Sequence, residues 1–457
     1  MRPLRRVAVG FAILAVVVVV RWQWHRLTGP QTPPPLFDSY QYMEIVAQPL
    51  GPRLMFSAKP LTVPLFFRAL GADPPLIARI QGELAFAAWA VVTAVLVLAL
   101  RRRWAKLIAG GIGIAFLLAA PRVGWSGVLL SESLADTLMA LIAAGAIGLA
   151  VTARTPWSRA RIAIAVATGA LGVAWMFARD TNAIAALVAV AVATLIWPVR
   201  RWWTTGRWGI GLAGVATAAA LVALWSTRVP APLPSQQHWY VPLTMRGGYP
   251  LLDNMLARVL PSDRAWLAER GAPVDVLAQF AGPEITPERL VYRKPELAPT
   301  QVWLEDHGPA TYLRWLARHP VARIGELIGA RWTVLAARYP TTMPVGWIAP
   351  GGANPVVEAV RRLTTTRWLL LALIAASPLL LWRSRAAPLT GVALCMVASG
   401  VVAAAASYYG DSAELARHCY GAGQLIVLGL FIGLVAWLDG VRAGAPADQD
   451  RTRSTRA

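Results

Sequence analysis

Long apolar runs, separated by short charged segments, are the feature of this 457-residue sequence that most limits how it can fold. Several runs contain about 18 or more apolar residues, which is enough for a helix to cross a hydrocarbon layer about 30 Å thick. Charged residues make up only 15% of the chain and hydrophobic residues 56%, whereas soluble domains carry about 25% charged residues. The sequence therefore predicts an all-α polytopic membrane protein.

About ten spans are predicted from the lengths of the apolar runs. The first run is followed by Arg21 and Trp22 rather than by a small-residue cleavage site, so we interpret it as a span and not as a removed signal peptide. The predicted spans are residues 7–24, 77–100, 107–120, 128–151, 161–178, 181–198, 208–226, 367–383, 388–408 and 421–438.

Basic residues are concentrated in every second segment between the predicted spans. Arg101–Arg103 follow the second span and Arg200 and Arg201 follow the sixth, whereas the short loops on the other side hold one arginine each. Because cytoplasmic loops are enriched in Lys and Arg, this alternation predicts that both termini are cytoplasmic. It also accounts for the net charge of +21 without a nucleic-acid partner, for which the sequence has no basic-aromatic surface.

The predicted spans divide the chain into four parts. Residues 1–226 form an N-terminal membrane module, whose first external loop comprises residues 27–76. Residues 227–366 are too many for a structureless loop, so we expect a mostly helical external cap domain there. Residues 367–440 supply the C-terminal membrane helices, and the polar residues 441–457 are expected to be a disordered cytoplasmic tail.

Ionisable residues gather at the predicted external ends of the spans. A charged side chain at membrane depth costs about 2.5–3.5 kcal/mol on insertion scales, so such residues usually mark a pathway or a site. A carboxylate in such a place can act as a general base, and a cation can hold a phosphate. This pattern predicts an outward-facing cavity lined by Asp38, Glu44, Glu132, Asp136, Arg179, Asp180, Asp411, Glu414, Arg417 and His418.

The first external loop carries the most specific motif of the sequence. Asp38, Tyr42 and Glu44-Ile45 are followed by Lys59-Pro60-Leu61. This order resembles the first external loop of the GT-C superfamily of membrane glycosyltransferases, in particular the protein O-mannosyltransferases and the lipid A aminoarabinose transferases. Their loop reads Asp-x-x-x-Tyr-x-Glu-Ile and then Lys-Pro-Pro-Leu. Ser39 stands where an acidic neighbour is common in this superfamily.

Two further segments are similar to the same superfamily. Ser131–Ala135, which follow Pro121, resemble its acidic start of the fourth span. Glu414–His418 resemble its Glu-x-Arg-Tyr segment before the final helical hairpin, with His418 in the place of the tyrosine and one additional residue before Arg417. The resemblance covers mainly residues 37–150 and 410–438.

The resemblance implies a GT-C-like bundle and a glycosyltransferase that is inverting. Such an enzyme takes a sugar from a polyprenyl-phosphate donor and passes it to an envelope glycan, lipid or protein at the external face. Asp38 would be the base, and Lys59, Arg417 and His418 would bind the donor phosphate. No cofactor is implied with certainty, and a divalent metal stays open. The residues implied to bind the acceptor or the sugar are Tyr42, Glu44, Glu132, Arg179, Asp180 and Glu414.

Each candidate also has a structural interpretation. Asp38 can cap a helix, Lys59 can reach lipid headgroups, Glu132 suits a helix N-terminus, and Arg179 and Asp180 can form a turn. A transporter or flippase of lipid-linked sugars is the alternative function. Transporters tend to have internal repeats and charges at the bilayer midplane, whereas the charges here gather on one side, which favours the enzyme. A non-catalytic assembly protein would leave the first-loop motif unexplained.

Overall fold

The computed structural model describes eleven parts of the chain: residues 16–25, 37–51, 59–118, 125, 128–152, 156–196, 248–281, 294–328, 375–376, 388–410 and 418–440. All regular secondary structure in these parts is helical. Helix α1 covers residues 16–25. The helices of the membrane module that follow are α2 (Phe37–Ala47), α3 (Thr62–Ala69), α4 (Pro74–Ala99), α5 (Arg103–Leu117), α6 (Ser131–Val151), α7 (Arg159–Met176) and α8 (Asp180–Ile196).

The second half of the chain adds short helices and then two long ones. Helix α9 begins with Gly248–Asn254 and continues through a π-helical turn, Met255–Val259, to Leu260–Ser262. The other helices are α10 (Arg264–Ala268), α11 (Val274–Ala278), a 3₁₀ turn (Pro295–Leu297), α12 (Thr300–Arg318), α13 (Pro320–Ile328), α14 (Pro388–Gly410) and α15 (Tyr420–Gly440).

Five helices among the described residues are long and apolar enough to cross a membrane, namely α4, α6, α7, α14 and α15. The chain is therefore a helical membrane protein. The predicted spans 77–100, 107–120, 128–151, 161–178, 181–198, 388–408 and 421–438 overlap helices α4–α8, α14 and α15. The predicted spans at 208–226 and, except for two residues, at 367–383 lie outside the described residues, so the total of about ten stays a prediction.

Helix α6 lies at the centre of the bundle and packs against α4, α7 and α14. Its first ten residues are all buried, and small residues such as Ala140 and Ala143 let the neighbouring backbones approach closely. Helices α14 and α15 form an equally close hairpin. A β-carbon on Gly400 would lie 2.9 Å from the backbone oxygen of Ala422, so only glycine fits there without a shift.

The two ends of the bundle differ in charge, because arginines predominate at one end, whereas carboxylates accompany the cations at the other. At one end, which we call the basic end, the backbone N–H groups of Arg101 and Arg102 donate to the carboxylate of Asp439, at 3.1 and 2.8 Å. These contacts bring the end of α4 beside the end of α15. The opposite end, which we call the polar end, holds Lys59 and Arg179, whose contacts are given below.

Residues 248–281 and 294–328 form a small helical unit, called here the 248–328 unit, with its own apolar core. Leu252, Leu256, Leu304 and Trp315 are among the residues that build this core. The core is separate from the apolar cluster of the membrane bundle. These residues lie within the cap domain predicted at 227–366.

The 248–328 unit is attached to the last turn of α14 by donors that meet backbone carbonyls. Arg258 Nη2 donates to the carbonyl of Tyr408 at 2.7 Å. Asn254 Nδ2 and the hydroxyl of Tyr312 donate to the carbonyl of Tyr409 at 3.2 and 2.6 Å. The last carbonyls of a helix have no partner within the helix, so these donors act as its cap. Burial raises the pKa of the Tyr312 hydroxyl above its ordinary value, which keeps this donor protonated.

Candidate active site

The first cluster of the candidate site consists of Asp38, Tyr42 and Lys59. Asp38 lies in the first turn of α2, and Lys59 Nζ donates to its Oδ1 across 2.9 Å. The same nitrogen lies 5.7 Å from the centroid of the Tyr42 ring, which packs edge-on against Phe67 at 5.9 Å. The two charged side chains are 21% and 16% exposed. A carboxylate and a cation therefore meet at a partly open position, beside the ring of Tyr42, which is itself only 2% exposed.

Two hydrogen bonds from Thr62 fix the position of the Lys59 segment. The backbone N–H of Thr62 donates to the carbonyl of Phe177 at 3.1 Å, and its hydroxyl donates to the carbonyl of Ala174 at 2.7 Å. Both acceptors belong to the C-terminal end of α7, whose last carbonyls need such external donors. The bonds hold the start of α3 against the α7–α8 turn, where Arg179 is found.

The second cluster consists of Glu132, Arg179 and His418. Arg179 Nη1 lies 3.3 Å from Glu132 Oε1, and these side chains are only 8% and 0% exposed. Its other terminal nitrogen lies 3.4 Å from His418 Nδ1. Because a guanidinium can only donate, Nδ1 of His418 is the acceptor in this contact. Ser131 Oγ adds a hydrogen bond to Glu132 Oε2 at 3.2 Å.

A buried hydrogen bond lies one helical turn along α6 from Glu132. Trp89 Nε1 donates to Asp136 Oδ2 at 2.8 Å, and both residues are at most 6% exposed. Asn182 Nδ2 donates to the carbonyl of Trp175 at 2.9 Å and closes the α7–α8 turn. These bonds give α4, α6, α7 and α8 a fixed arrangement beneath the two clusters.

The other predicted site residues are not among those that make up these two clusters. Asp180 begins α8 and is exposed, and Glu44 is half-buried on α2. Asp411, Glu414 and Arg417 lie outside the described residues. The structure thus brings six of the predicted site residues into two groups. Asp38, Tyr42 and Lys59 form one group, and Glu132, Arg179 and His418 form the other.

Sequence reasoning did not identify Thr62 or Trp89 as part of the polar end. A signal existed for Trp89, because a carboxyl such as Asp136 inside an apolar helix needs a buried donor. No comparable signal existed for Thr62, whose partners are backbone carbonyls. In the parts of the chain that the structure describes, no three or more His, Cys, Asp or Glu side chains form a group that could hold a metal ion. No residue is therefore assigned to the divalent metal that the sequence leaves open.

No family model and no curated protein matches this chain. Among solved structures, the crystal structure of ArnT from Cupriavidus metallidurans bound to undecaprenyl phosphate is similar to it. The alignment covers 98% of this chain and 81% of that chain, with 16% sequence identity and a TM-score of 0.32. At this TM-score the similarity transfers neither an activity nor the role of any residue to this chain.

Proposed function

We propose that this chain is an inverting membrane glycosyltransferase that uses a polyprenyl-phosphate sugar as its donor. The acceptor is an envelope glycan, lipid or protein at the external face. The 2.9 Å contact between Lys59 Nζ and Asp38 Oδ1 carries the proposal. It supplies a proton acceptor and a phosphate-binding cation side by side, at the polar end of an apolar bundle. The first-loop motif in the sequence supports the same assignment.

Asp38 is the base in the proposed reaction. A hydroxyl or amine of the acceptor attacks the anomeric carbon, and its proton passes to the carboxylate of Asp38. The bond between that carbon and the phosphate oxygen breaks, and its electron pair leaves with the lipid phosphate. By analogy with glycoside hydrolysis, the transition state resembles an oxocarbenium ion. A well-placed general base contributes about 10²–10⁴-fold to the rate of such a step.

Lys59, Arg417 and His418 stabilise the phosphate that leaves. Fixed cations such as Lys59 and Arg417 lower the energy of a transition state in which negative charge develops, and His418, whose Nδ1 accepts from Arg179, can add an N–H donor from Nε2. An ammonium group has three N–H donors, so Lys59 can contact Asp38 and a phosphate oxygen together. Arg417 lies outside the described residues and adjoins His418 in the sequence. The contact with Arg179 holds the imidazole of His418 at the polar end.

Tyr42, Glu44, Glu132, Arg179, Asp180 and Glu414 are proposed to serve the binding of the sugar or the acceptor, the buried ones among them by positioning their neighbours. Tyr42 is only 2% exposed, and its position beside Lys59 supports a role in holding the ammonium that faces the phosphate-linked sugar. The buried pair of Glu132 and Arg179 supports a role in positioning, since neither side chain can move far without leaving a charge unpaired.

The test is an in vitro transfer assay with the Asp38→Asn variant in membranes supplied with a polyprenyl-phosphate sugar. The donor is first chosen by comparing lipid-linked sugars and envelope glycans in cells with and without the gene. We expect at least about a 100-fold loss of transfer, the smallest usual contribution of a general base, with unchanged expression and unfolding temperature. The matched control is Asp275→Asn, which changes a carboxylate that is 91% exposed on the 248–328 unit.

Full transfer by the Asp38→Asn variant would show that Asp38 is not the base. Movement of a lipid-linked sugar across the bilayer by the wild-type chain, without transfer to any acceptor, would identify the protein as a transporter instead. Retained transfer in Asp275→Asn is required for the comparison, because that residue is outside the proposed site.

A further inference from the structure

Helix α13 has two faces of different character. Leu327 packs against the apolar cluster of the membrane bundle, and Glu326 contacts the end of α14. Val321 and Ile324, in contrast, are 81% and 57% exposed. The helix is thus held on one side, while the apolar side chains of Val321 and Ile324 are left uncovered by the part of the chain that the structure describes.

The contacts of α13 fix its level along the bundle. The hydroxyl of Tyr408 donates to Glu326 Oε1 at 2.9 Å, and the hydroxyl of Tyr409 donates to the carbonyl of Arg323. Both tyrosines lie in the last turn of α14, within the segment Leu389–Gly410 that is long and apolar enough to span a membrane. Helix α13 therefore lies where α14 reaches the surface of the bilayer, which is also the level at which tyrosine is enriched.

Arginines stand beside this apolar face. Arg318, at the end of α12, has a side chain that is 47% exposed and lies 3.4 Å from Asp263, and Arg323, next to Ile324, lies 2.9 Å from Glu326. A helix with an apolar face and neighbouring cations is the kind that lies in the interface plane of a membrane with anionic lipids. The exposed apolar side chains and the level of α13 along the bundle both suit lipid as the occupant, and the exposed Arg318 lies where it can meet anionic headgroups.

We propose that α13 is an interfacial helix, with Val321 and Ile324 inserted among the acyl chains just below the lipid headgroups. The occupant of this face is lipid of the same bilayer that α14 crosses, and not a second protein. The helix then gives the 248–328 unit a second attachment besides its bonds to α14, and it sets the height of that unit above the polar end. The proposal is independent of the sugar transfer proposed above.

The test measures the depth of nitroxide labels in the full-length chain. Cys395 and Cys419, the two cysteines of the sequence, are replaced by alanine, and one cysteine is introduced by Val321→Cys or Ile324→Cys. The labelled protein is reconstituted into vesicles of phosphatidylethanolamine and phosphatidylglycerol. Collision of each label with oxygen, which partitions into the bilayer, is compared with collision with a water-soluble nickel chelate.

Two reference variants define the scale. Val402→Cys, in the middle of α14 and 38% exposed, reports the bilayer, and Asp275→Cys, whose side chain is 91% exposed, reports water. We expect the oxygen-to-nickel ratio at positions 321 and 324 to exceed that at position 275 by about threefold or more and to approach that at position 402, since such helices insert about 5–10 Å into the headgroup boundary.

Ratios equal to that of Asp275→Cys would overturn the proposal. Spin–spin broadening that disappears when labelled chains are diluted with unlabelled ones would also overturn it, because a second copy would then cover the face. If the cysteine-free chain does not fold, the wild-type chain is irradiated in vesicles that contain a photoactivatable phospholipid. Crosslinks in the peptide 320–328 support the proposal, and crosslinks in α14 without any in that peptide contradict it.

Discussion

The ammonium of Lys59 lies 2.9 Å from the carboxylate of Asp38, although the two residues are 21 positions apart in the sequence. The pair forms because α2 supplies the carboxylate and because Thr62 ties the segment of Lys59 to the end of α7. The ammonium is thereby fixed between a carboxylate and the ring of Tyr42. The proposed chemistry needs this arrangement, in which a base and a phosphate-binding cation serve one reacting centre.

Removing the ammonium is expected to weaken donor binding more than the chemical step. For Lys59→Met we predict a rise of about 10- to 100-fold in KM for the polyprenyl-phosphate sugar, because a hydrogen bond to a charged group contributes about 1.5–3 kcal/mol and about 1.4 kcal/mol corresponds to tenfold. The measurement is the initial transfer rate at varied donor concentration. Lys106→Met, in α5 near the basic end, is the control and should leave KM unchanged. An unchanged KM in Lys59→Met would exclude phosphate binding by this residue.

The buried pair of Glu132 and Arg179 should behave as one unit in a double-mutant cycle. Glu132→Leu alone leaves a buried arginine without its carboxylate, and loss of one partner of such a pair costs about 3–5 kcal/mol. Arg179→Met alone removes the guanidinium from the Glu132 carboxylate and should lower the free energy of unfolding by a similar amount. We expect the double variant to lose much less than the sum of the two, as measured by thermal unfolding in detergent. Additive losses would mean that the two side chains do not interact in the folded protein.

Attachment of the 248–328 unit to α14 should depend on Arg258. Its side chain is 6% exposed and its guanidinium lies 4.1 Å from the centre of the Tyr408 ring, besides its bond to the Tyr408 carbonyl. Arg258→Met leaves that carbonyl without a donor, and a buried unsatisfied group costs about 1–3 kcal/mol. We therefore predict faster amide hydrogen exchange across residues 248–328.

The control for this prediction is Arg264→Met in the same unit. Arg264 also makes an ion pair, 2.7 Å from Asp275, but the two side chains are 56% and 91% exposed. An exposed pair contributes about 0–1 kcal/mol, so its loss should change hydrogen exchange little. Equal effects of the two substitutions would argue against a special role for Arg258 in docking the unit.

Because α14 packs closely on α15, replacing two glycines of α14 by alanine should change the stability of the protein in opposite directions. A β-carbon on Gly391 meets nothing within 4 Å, so Gly391→Ala should stabilise the helix by about 0.5–1 kcal/mol. A β-carbon on Gly400 would lie 2.6 Å from the side chain of Ile426 and 2.9 Å from the carbonyl of Ala422. Overpacking of this kind costs about 1–3 kcal/mol. Unfolding temperatures should therefore move in opposite directions, and a stabilising Gly400→Ala would contradict the close contact.

The sequence predicts the long helices well because the length of an apolar run is a local property. Helices α4 and α6 follow directly from such runs. It does not predict the docking of the 248–328 unit, because Arg258 bonds to the backbone of Tyr408, and every residue offers a carbonyl. The bond between Trp89 and Asp136 likewise depends on how two helices pack.

In the candidate site, too, the sequence predicts which residues take part but not which of them touch. The similarity of the first loop to a known motif identified Asp38 and Lys59, but spacing alone could not show that they touch. The pairing of Glu132 with Arg179 joins the starts of two helices that are distant in the sequence. Only the tertiary structure reveals that contact, and the chemical roles of all these residues stay predictions.

The orientation of the bundle gives the last prediction. Asp439, near the end of α15, accepts hydrogen bonds from the segment that joins α4 to α5, so α15 ends at the basic end. Because basic loops stay in the cytoplasm, a reporter fused after Ala457 should be cytoplasmic. A reporter inserted at Gly271, in the turn between α10 and α11, should be external, since the 248–328 unit is attached at the other end of α14. The opposite result at both positions would place Asp38 and Lys59 on the cytoplasmic side, where the proposed donor and acceptor would have to be sought instead.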